Sequence, residues 1–131
     1  MLSRFLLCAG VLLAGPAFAE PSPEGLFIAS CSACHQRNGR GIPQAFPALA
    51  GDGLVQGDPQ NLVRLLLNGR GGMPAFKAQL DDDETAAVAT YVRGAWGNHA
   101  DPVSAALVAQ ARSDASANAD ASEAERNLQA H

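Results

Sequence analysis

The chain contains 131 residues, 47% of them hydrophobic, and has a formal net charge of −4. This length suits one small domain, and the acidic balance argues against nucleic acid as a partner, because phosphates require a basic surface. Three cysteines are present, at positions 8, 31 and 34, and the first lies in the leader described next, so a disulfide framework is excluded.

The first 19 residues have the pattern of a secretory signal peptide. Arg4 precedes an almost wholly apolar run at residues 5–13, and a small-x-small cleavage site lies at residues 17–19. The apolar run is shorter than the ~20 residues that a membrane-spanning helix needs. The sequence therefore predicts export to the periplasm, a mature chain that begins at Glu20, and no integral membrane segment after cleavage.

A first helix is predicted over about residues 23–34. Ser22 can cap its start, and Pro23 suits the first helical position, where no N–H is needed. At helical spacing, Phe27 falls on the same face as the two later cysteines. One face of this helix would therefore carry an aromatic ring and both thiols.

Two further core helices are predicted from capping residues and apolar periodicity. Asp58 caps the second, over about residues 59–68. Asp81, with Glu84 three residues later, resembles a capping box and starts the third, over about residues 82–96. Apolar residues repeat at i, i+3 and i+4 along both helices, which predicts two buried stripes.

The remaining stretches are irregular or polar. Two segments rich in Gly and Pro, residues 39–57 and 69–79, interrupt the helices, and loops of this length suit the wrapping of a bulky cofactor. A weaker fourth helix is predicted over about residues 102–112, followed by a polar, disordered tail. The predicted organisation is a signal peptide at residues 1–19, one domain at 20–112 and the tail at 113–131.

The charges are divided unevenly along the chain. Residues 37–77 carry five bases and two acids, whereas residues 81–131 carry nine acids and three bases. An ordinary solvated surface would explain this division, and so would a basic face that docks an acidic partner. The sequence leaves both interpretations open.

Residues 31–35 have the C-x-x-C-H spacing that attaches c-type haem. Near a helix end, residues i, i+3 and i+4 share one face. The thiols of Cys31 and Cys34 could then bond the two vinyl groups of one porphyrin, while the imidazole of His35 faces the iron. The motif predicts one covalently bound haem c.

Two other uses of paired cysteines stay open. A thioredoxin-like redox pair needs a strand that leads into the helix, and no strand is predicted before the motif. A zinc site needs four ligands, and the mature chain adds only the distant His99 and His131. Neither use requires the histidine next to the second cysteine, so both explain the motif less well than haem.

Six short motifs occur in chain order between residues 22 and 97. They are Phe27 before the first cysteine, Cys31-x-x-Cys34-His35, Gly39-x-Gly41, Phe46-Pro47-Ala48-Leu49, Gly72-Met73-Pro74-Ala75-Phe76 and Ala89-Thr90-Tyr91-Val92-Arg93. Together they resemble the class I cytochromes c, over about residues 22–97. The resemblance implies an all-α fold, the cytochrome c fold, with three core helices and a short C-terminal helix wrapped around one covalent haem. It also implies that the first and last core helices cross, with Phe27 near Tyr91.

The resemblance also implies the site residues. Met73 would supply the sixth iron ligand through its soft thioether, opposite His35. The backbone carbonyl of Pro47 would accept a hydrogen bond from that histidine. A methionine that fills a gap in the core and a simple turn proline are the plainer interpretations. We expect Cys31, Cys34, His35, Met73 and Pro47 to bind the cofactor, with His35 and Met73 as metal ligands.

Four further side chains have two interpretations each. Arg64, Arg70 and Trp96 could bind the carboxylate groups of a haem, or they could be surface arginines and a residue that caps the core. His99 is predicted to be a surface histidine and not an alternative ligand. Leu49, Leu66, Phe76 and Val92 are candidates for the pocket wall, but the sequence does not distinguish them from ordinary core and predicts only that they are buried.

The predicted function is the transfer of single electrons by a periplasmic cytochrome. A haem with both axial positions filled by the protein has no open site for substrate, so the chain is not predicted to be an enzyme. Its partners would be redox proteins, namely a dehydrogenase, an oxidase or another cytochrome. One alternative is a dedicated subunit of a dehydrogenase or oxidase complex, because residues 96–112 resemble the end of such cytochrome subunits. The other is a haem enzyme or gas sensor, if Met73 leaves the iron open.

Overall fold

The structure is a computed structural model that describes residues 21–129, so the predicted signal peptide at residues 1–19 lies outside the described residues. In this part of the chain the secondary structure consists of helices and two isolated β-bridges, with no strand. The predicted all-α class is therefore confirmed. The helices are α1 (Pro23–Ser30), α2 (Ser32–His35), α3 (Gly53–Gln56), α4 (Pro59–Asn68), α5 (Asp82–Gly94) and α6 (Ala105–Gln129).

The helix predicted over residues 23–34 is divided into α1 and α2. The predicted cap is present, because Ser22 Oγ accepts a hydrogen bond from the backbone N–H of Gly25 at 3.0 Å. The division lies at Cys31, where φ is −125°, outside the helical region. The motif cysteines therefore stand at and just after a break in the helix.

The capping residues of α4 and α5 act as predicted. Asp58 accepts a hydrogen bond from the N–H of Gln60 at 2.9 Å, and α4 ends at Asn68. At α5, Asp81 Oδ1 accepts from the N–H of Glu84 at 2.8 Å, and the glutamate accepts in return at 3.0 Å. This reciprocal pair is a full capping box. The helix ends at Gly94, two residues before the predicted end.

A short helix, α3, was not predicted. Asp52 Oδ1 starts it by accepting hydrogen bonds from the N–H groups of Leu54 and Val55 at 2.9 and 3.0 Å. Four residues are too few for a helical period to show in a sequence. The helix matters because it buries Val55 completely in the core.

Helices α1 and α5 pack against each other through three aromatic rings. The Phe27 ring centroid lies 5.5 Å from that of Tyr91 and 4.9 Å from that of Trp96. Tyr91 and Trp96 meet edge to face at 5.6 Å, a favoured arrangement for aromatic pairs. The predicted contact between Phe27 and Tyr91 is confirmed.

Helix α6 is longer than the predicted fourth helix. Val108 and Ala111 are buried against the body, and Thr90 Oγ1 joins the preceding segment by accepting from the N–H of Val103 at 2.9 Å. Beyond residue 112 the helix continues to Gln129, where the composition predicts a disordered tail. Alanine is the strongest helix former, and a rule based on low hydrophobicity does not weigh that propensity. No helix between residues 21 and 129 is long and apolar enough to cross a membrane.

Candidate cofactor site

An apolar cavity of about 330 Å³ lies inside the helical body. Its walls come from α1 to α5 and from the two irregular stretches between them. This volume falls within the range of small-molecule and cofactor sites. The four candidates for the pocket wall, Leu49, Leu66, Phe76 and Val92, all line it.

The fold brings all five predicted cofactor-binding residues to this one cavity. Cys31, Cys34 and His35 reach it from the break after α1 and from α2. Pro47 reaches it from the first irregular stretch and Met73 from the second. Residues more than forty positions apart in the sequence therefore share one enclosure.

The imidazole of His35 is held in one orientation. Its Nδ1 lies 2.9 Å from the carbonyl oxygen of Pro47, and the residue is only 9% exposed. A carbonyl oxygen can only accept, so Nδ1 carries the hydrogen and donates it. Nε2 is then the nitrogen available to a metal, as is usual where a ligand histidine is oriented by a backbone carbonyl.

The loop that carries Pro47 folds tightly over α2. The N–H of Gly41 donates to the carbonyl oxygen of His35 at 2.9 Å, and φ of Gly41 is +63°. A Cβ atom at this position would lie 2.3 Å from the carbonyl oxygen of Phe46 and 2.5 Å from that of Pro47. Glycine is required here, because any side chain would push the histidine's acceptor away.

The environment of the paired cysteines does not suit a redox pair. Burial raises the pKa of the Cys31 thiol to about 11, and the nearby Cys34 adds to the rise. Thioredoxin-like pairs depend on an attacking cysteine whose pKa is lowered, so that it is a thiolate at neutral pH. Within residues 21–129, no three His, Cys, Asp or Glu side chains are grouped so as to hold a metal ion among themselves.

Met73 sits in a small backbone turn. Arg70 and Met73 exchange two backbone hydrogen bonds, at 3.1 and 3.0 Å. Gly69, with φ +68°, precedes the turn, and a Cβ atom there would lie 2.4 Å from the carbonyl oxygen of Met73. The turn directs a partly buried Met73 to the cavity wall.

The remaining predicted residues divide between the cavity and the surface. Arg70 lines the cavity, whereas Arg64 is exposed on α4 and donates to Gln60 Oε1 at 2.9 Å. The indole N–H of Trp96 donates to the backbone carbonyl of Arg37 at 3.1 Å, so that donor is already engaged. His99 is exposed, as predicted.

The burial of two polar side chains that bond to the segments around the site was not predicted from the sequence. Asn98 is fully buried, accepts from the N–H of Gly51 at 2.8 Å, and donates to the carbonyls of Leu49 and Val92 at 3.0 and 2.8 Å. It joins the first loop to the end of α5. Its only signal in the sequence was its place after the helix-stopping Gly97.

Arg93 is the second such residue, with only 3% of its surface exposed. Its guanidinium donates to three backbone carbonyls, those of Val55, Gly57 and Asp101, at 2.7, 2.9 and 2.6 Å. A buried arginine normally pairs with a carboxylate, and here carbonyls replace it. Arg93 is the last residue of the Ala89–Arg93 motif, but an arginine at this position of a helix is normally predicted to lie on the surface, so its burial was not predicted.

The fold and the site together define a class of protein. An all-α body encloses an apolar cavity and presents to it a C-x-x-C-H motif, an oriented imidazole and a thioether. Two thiols on one side and two neutral donors to iron are the groups by which proteins hold covalent haem. The residues present therefore fit haem c, and the class is that of the c-type cytochromes.

Comparison with known proteins places the chain within that class. A family model described as cytochrome c oxidase, cbb3-type, subunit III, matches residues 19–92. A cytochrome c-552 from Thermus thermophilus is 38% identical over 107 residues, which cover 70% of this chain and 72% of that protein. The chain belongs to the cytochrome c family, and the resemblance to class I cytochromes is confirmed. It is an electron-carrying c-type cytochrome, and its family implies covalently bound haem c.

Other relatives are subunits of larger assemblies. The cytochrome c subunit of a quinone alcohol dehydrogenase from Gluconobacter oxydans is 33% identical over 87 residues, and that of gluconate 2-dehydrogenase from Pantoea cypripedii is 34% identical over 103 residues. The alignments cover 57% and 68% of this chain but only 18% and 23% of those subunits. The chain therefore spans about a fifth of the length of these relatives.

Proposed function

We propose that this chain is a periplasmic carrier of single electrons that holds one haem c. Cys31 and Cys34 would bind it covalently, His35 and Met73 would bind its iron, and Pro47 would orient the histidine. The observation that carries the proposal is the convergence of these five residues on one apolar cavity, with His35 Nδ1 2.9 Å from the Pro47 carbonyl oxygen.

The protein's own residues would set the properties of the centre. When bound, the haem supplies one-electron oxidation and reduction of its iron. Met73 offers a soft thioether, which favours the ferrous state and raises the reduction potential. The Pro47 carbonyl keeps the imidazole of His35 aligned, and the apolar wall excludes water. With both donors in place, no position is left for a substrate.

Visible spectroscopy of the exported protein tests the ligand set. We expect sharp c-type bands, the weak far-red ferric band of methionine ligation, and no response of the reduced protein to carbon monoxide. Met73→Ala should remove the far-red band, lower the reduction potential and open the iron to carbon monoxide. Leu65→Ala is the matched control, because Leu65 also lines the cavity but offers no donor. A wild-type spectrum that lacks the far-red band, or shifts with carbon monoxide, would favour a haem enzyme or gas sensor instead.

The basic half of the chain supports docking of an acidic partner. Residues 37–77 carry a net charge of +3, and they supply much of the cavity wall. Arg40, Arg70 and Lys77 are exposed in and beside the segments that line the cavity. In the same loop as Arg40, Ile42 is 39% exposed, and Phe46 of the cavity wall is 37% exposed. Exposed apolar side chains and a cation in one loop suit the brief encounters of an electron shuttle.

We expect Arg40→Glu to slow electron exchange with hexacyanoferrate by up to about tenfold at low ionic strength. The reason is that the substitution reverses one charge beside the cavity, where an anionic reagent must approach. Stopped-flow kinetics against salt concentration measure the effect, which should vanish as salt screens the charge. Arg126→Glu on α6 makes the same charge change away from the cavity and should leave the rate nearly unchanged. Equal rates for both variants, or indifference to salt, would contradict a basic docking face.

A second function, a dedicated subunit of a dehydrogenase, is favoured by one observation. Residues 113–129 of α6 follow Ala111, the last residue of that helix that is buried among those whose burial the structure describes, and none of the residues that line the cavity belongs to α6. Relatives named as dehydrogenase cytochrome subunits share the cytochrome region. Isolation of the protein from its native cells decides between the two. Stoichiometric co-purification with a larger dehydrogenase would favour the subunit, and recovery of the free protein from the periplasm would favour the shuttle.

A further inference from the structure

One side chain of α6, that of Arg112, forms three hydrogen bonds to the segment that follows Met73. Arg112 Nε lies 2.6 Å from Asp82 Oδ1. Its Nη1 donates to the carbonyl oxygen of Lys77 at 2.7 Å, and its Nη2 donates to that of Leu80 at 2.6 Å. All three guanidinium nitrogens therefore contact one short stretch of chain, which links the Met73 turn to α5.

The stretch that Arg112 contacts, residues 77–82, directly follows residues of the cavity wall. Phe76, three residues after Met73, lines the cavity, and its N–H donates to the Leu66 carbonyl of α4 at 2.9 Å. The chain then turns, with the N–H of Leu80 bonded to the carbonyl of Phe76 at 2.9 Å. In the described residues, the carbonyls of Lys77 and Leu80 accept from no backbone N–H. Arg112 thus adds side-chain contacts to those that already tie this segment to the body, which are the bond from the N–H of Lys77 to the Leu67 carbonyl at 3.3 Å and the burial of Leu80.

The geometry of these contacts favours a role in orientation over a general role in stability. A guanidinium can satisfy a carboxylate and two carbonyls in one plane, which an ammonium group cannot do. The charge pair is partly shielded, with side-chain exposures of 27% for Arg112 and 38% for Asp82. The three bonds converge on the linker between Met73 and the capped start of α5, and the buried Val108 and Ala111 of α6 lie within one turn of Arg112.

We propose that Arg112 is a positioning residue for Met73. It holds residues 77–82 against α6 and so keeps the methionine at the cavity wall. The inference rests on the proposed function, in which Met73 is an iron ligand. Without the three bonds from Arg112, the segment between Met73 and α5 opens more often, while the rest of the fold stays closed. An exogenous ligand that binds only the open state then gains apparent affinity in proportion to the population of that state.

Imidazole titration of the ferric, haem-loaded protein tests this inference. The far-red band reports Met73 on the iron, and its loss reports displacement. We expect Arg112→Gln to raise the apparent imidazole affinity at least about tenfold, the factor that corresponds to the loss of one charge-assisted hydrogen bond. Arg112→Lys should fall between this variant and the wild type, because lysine can retain one of the three contacts.

Two further variants keep the test decisive. Leu26→Ala weakens the core on α1 and leaves the bonds between Arg112 and residues 77–82 in place. It should therefore lower the unfolding temperature and leave imidazole affinity unchanged. Asp82→Asn removes the charge pair but keeps both carbonyl contacts, so a smaller rise of about threefold is expected. It also serves if Arg112→Gln does not fold.

The outcomes separate the two proposals. A wild-type protein with the far-red band, together with Arg112 and Asp82 variants of unchanged imidazole affinity, would overturn the positioning role and leave the proposed function intact. An equal gain in Leu26→Ala would also overturn it, because the effect would then follow stability in general. A wild-type protein without the band would overturn methionine ligation, and this inference with it.

Discussion

The double variant C31S/C34S is expected to lose covalently bound haem and, without haem, to lose its native fold. The two thiols are the only cysteines within residues 21–129, and both face the cavity. Without haem, the largely apolar walls of a cavity of about 330 Å³ lose the group that would pack against them. A small domain is stable by only about 5–15 kcal/mol, so this loss of packing is expected to unfold it.

Two measurements check this expectation. Mass spectrometry under denaturing conditions should show the wild-type chain with the mass of one haem added and the double variant without it. Far-ultraviolet circular dichroism of the haem-free variant should show a large loss of helix. Ala33→Ser, an exposed change between the two cysteines, is the matched control and should retain the haem. Covalent haem in the double variant would contradict the attachment assigned to Cys31 and Cys34.

Replacement of Arg93 should cause the largest loss of stability of any single substitution of a charged residue on α5. Arg93→Met keeps the length of the side chain but leaves the carbonyls of Val55, Gly57 and Asp101 without their donor. The bond to Val55 is buried and the other two are part-buried, and an unsatisfied buried acceptor costs about 1–3 kcal/mol. We therefore expect the free energy of unfolding of the haem-loaded protein to fall by about 2 kcal/mol.

Denaturant unfolding of the haem-loaded variants checks the role of Arg93. Arg64→Met is the matched control, because Arg64 is exposed on α4 and its side chain is bonded only to Gln60. A surface change of this kind should stay within about 0.5 kcal/mol of the wild type. Arg93→Lys should be intermediate, since one ammonium group cannot reach all three carbonyls. Equal stability for the Met variants at both positions would show that the carbonyl contacts contribute little.

Local signals in the sequence predicted much of this fold. Ser22, Asp58 and Asp81 cap the helices that they were expected to cap, because a capping side chain bonds to N–H groups only two or three residues away. The C-x-x-C-H motif is equally local, since it needs a single helical turn. Patterns of this kind can be read without knowing the rest of the structure.

The prediction of a disordered tail shows the limit of composition. Residues 113–129 continue α6 although they carry few large apolar side chains. Low hydrophobicity shows that a segment cannot build a core, but it does not show that the backbone avoids the helical conformation. Here Ala-rich sequence follows directly on a packed helical turn, so the helix is already nucleated and can propagate.

The sequence by itself determined the starts of α1, α4 and α5, the motif and the family, because each depends on residues close together or on a recurrent pattern. Only the tertiary structure decided which carbonyls Arg93, Asn98 and Arg112 would meet, 30 or more positions away in several cases. The pattern of residues along a helix does not distinguish a buried arginine from one on the surface. Their roles differ because burial removes water, and the donors must then find backbone acceptors that only the folded chain brings within reach.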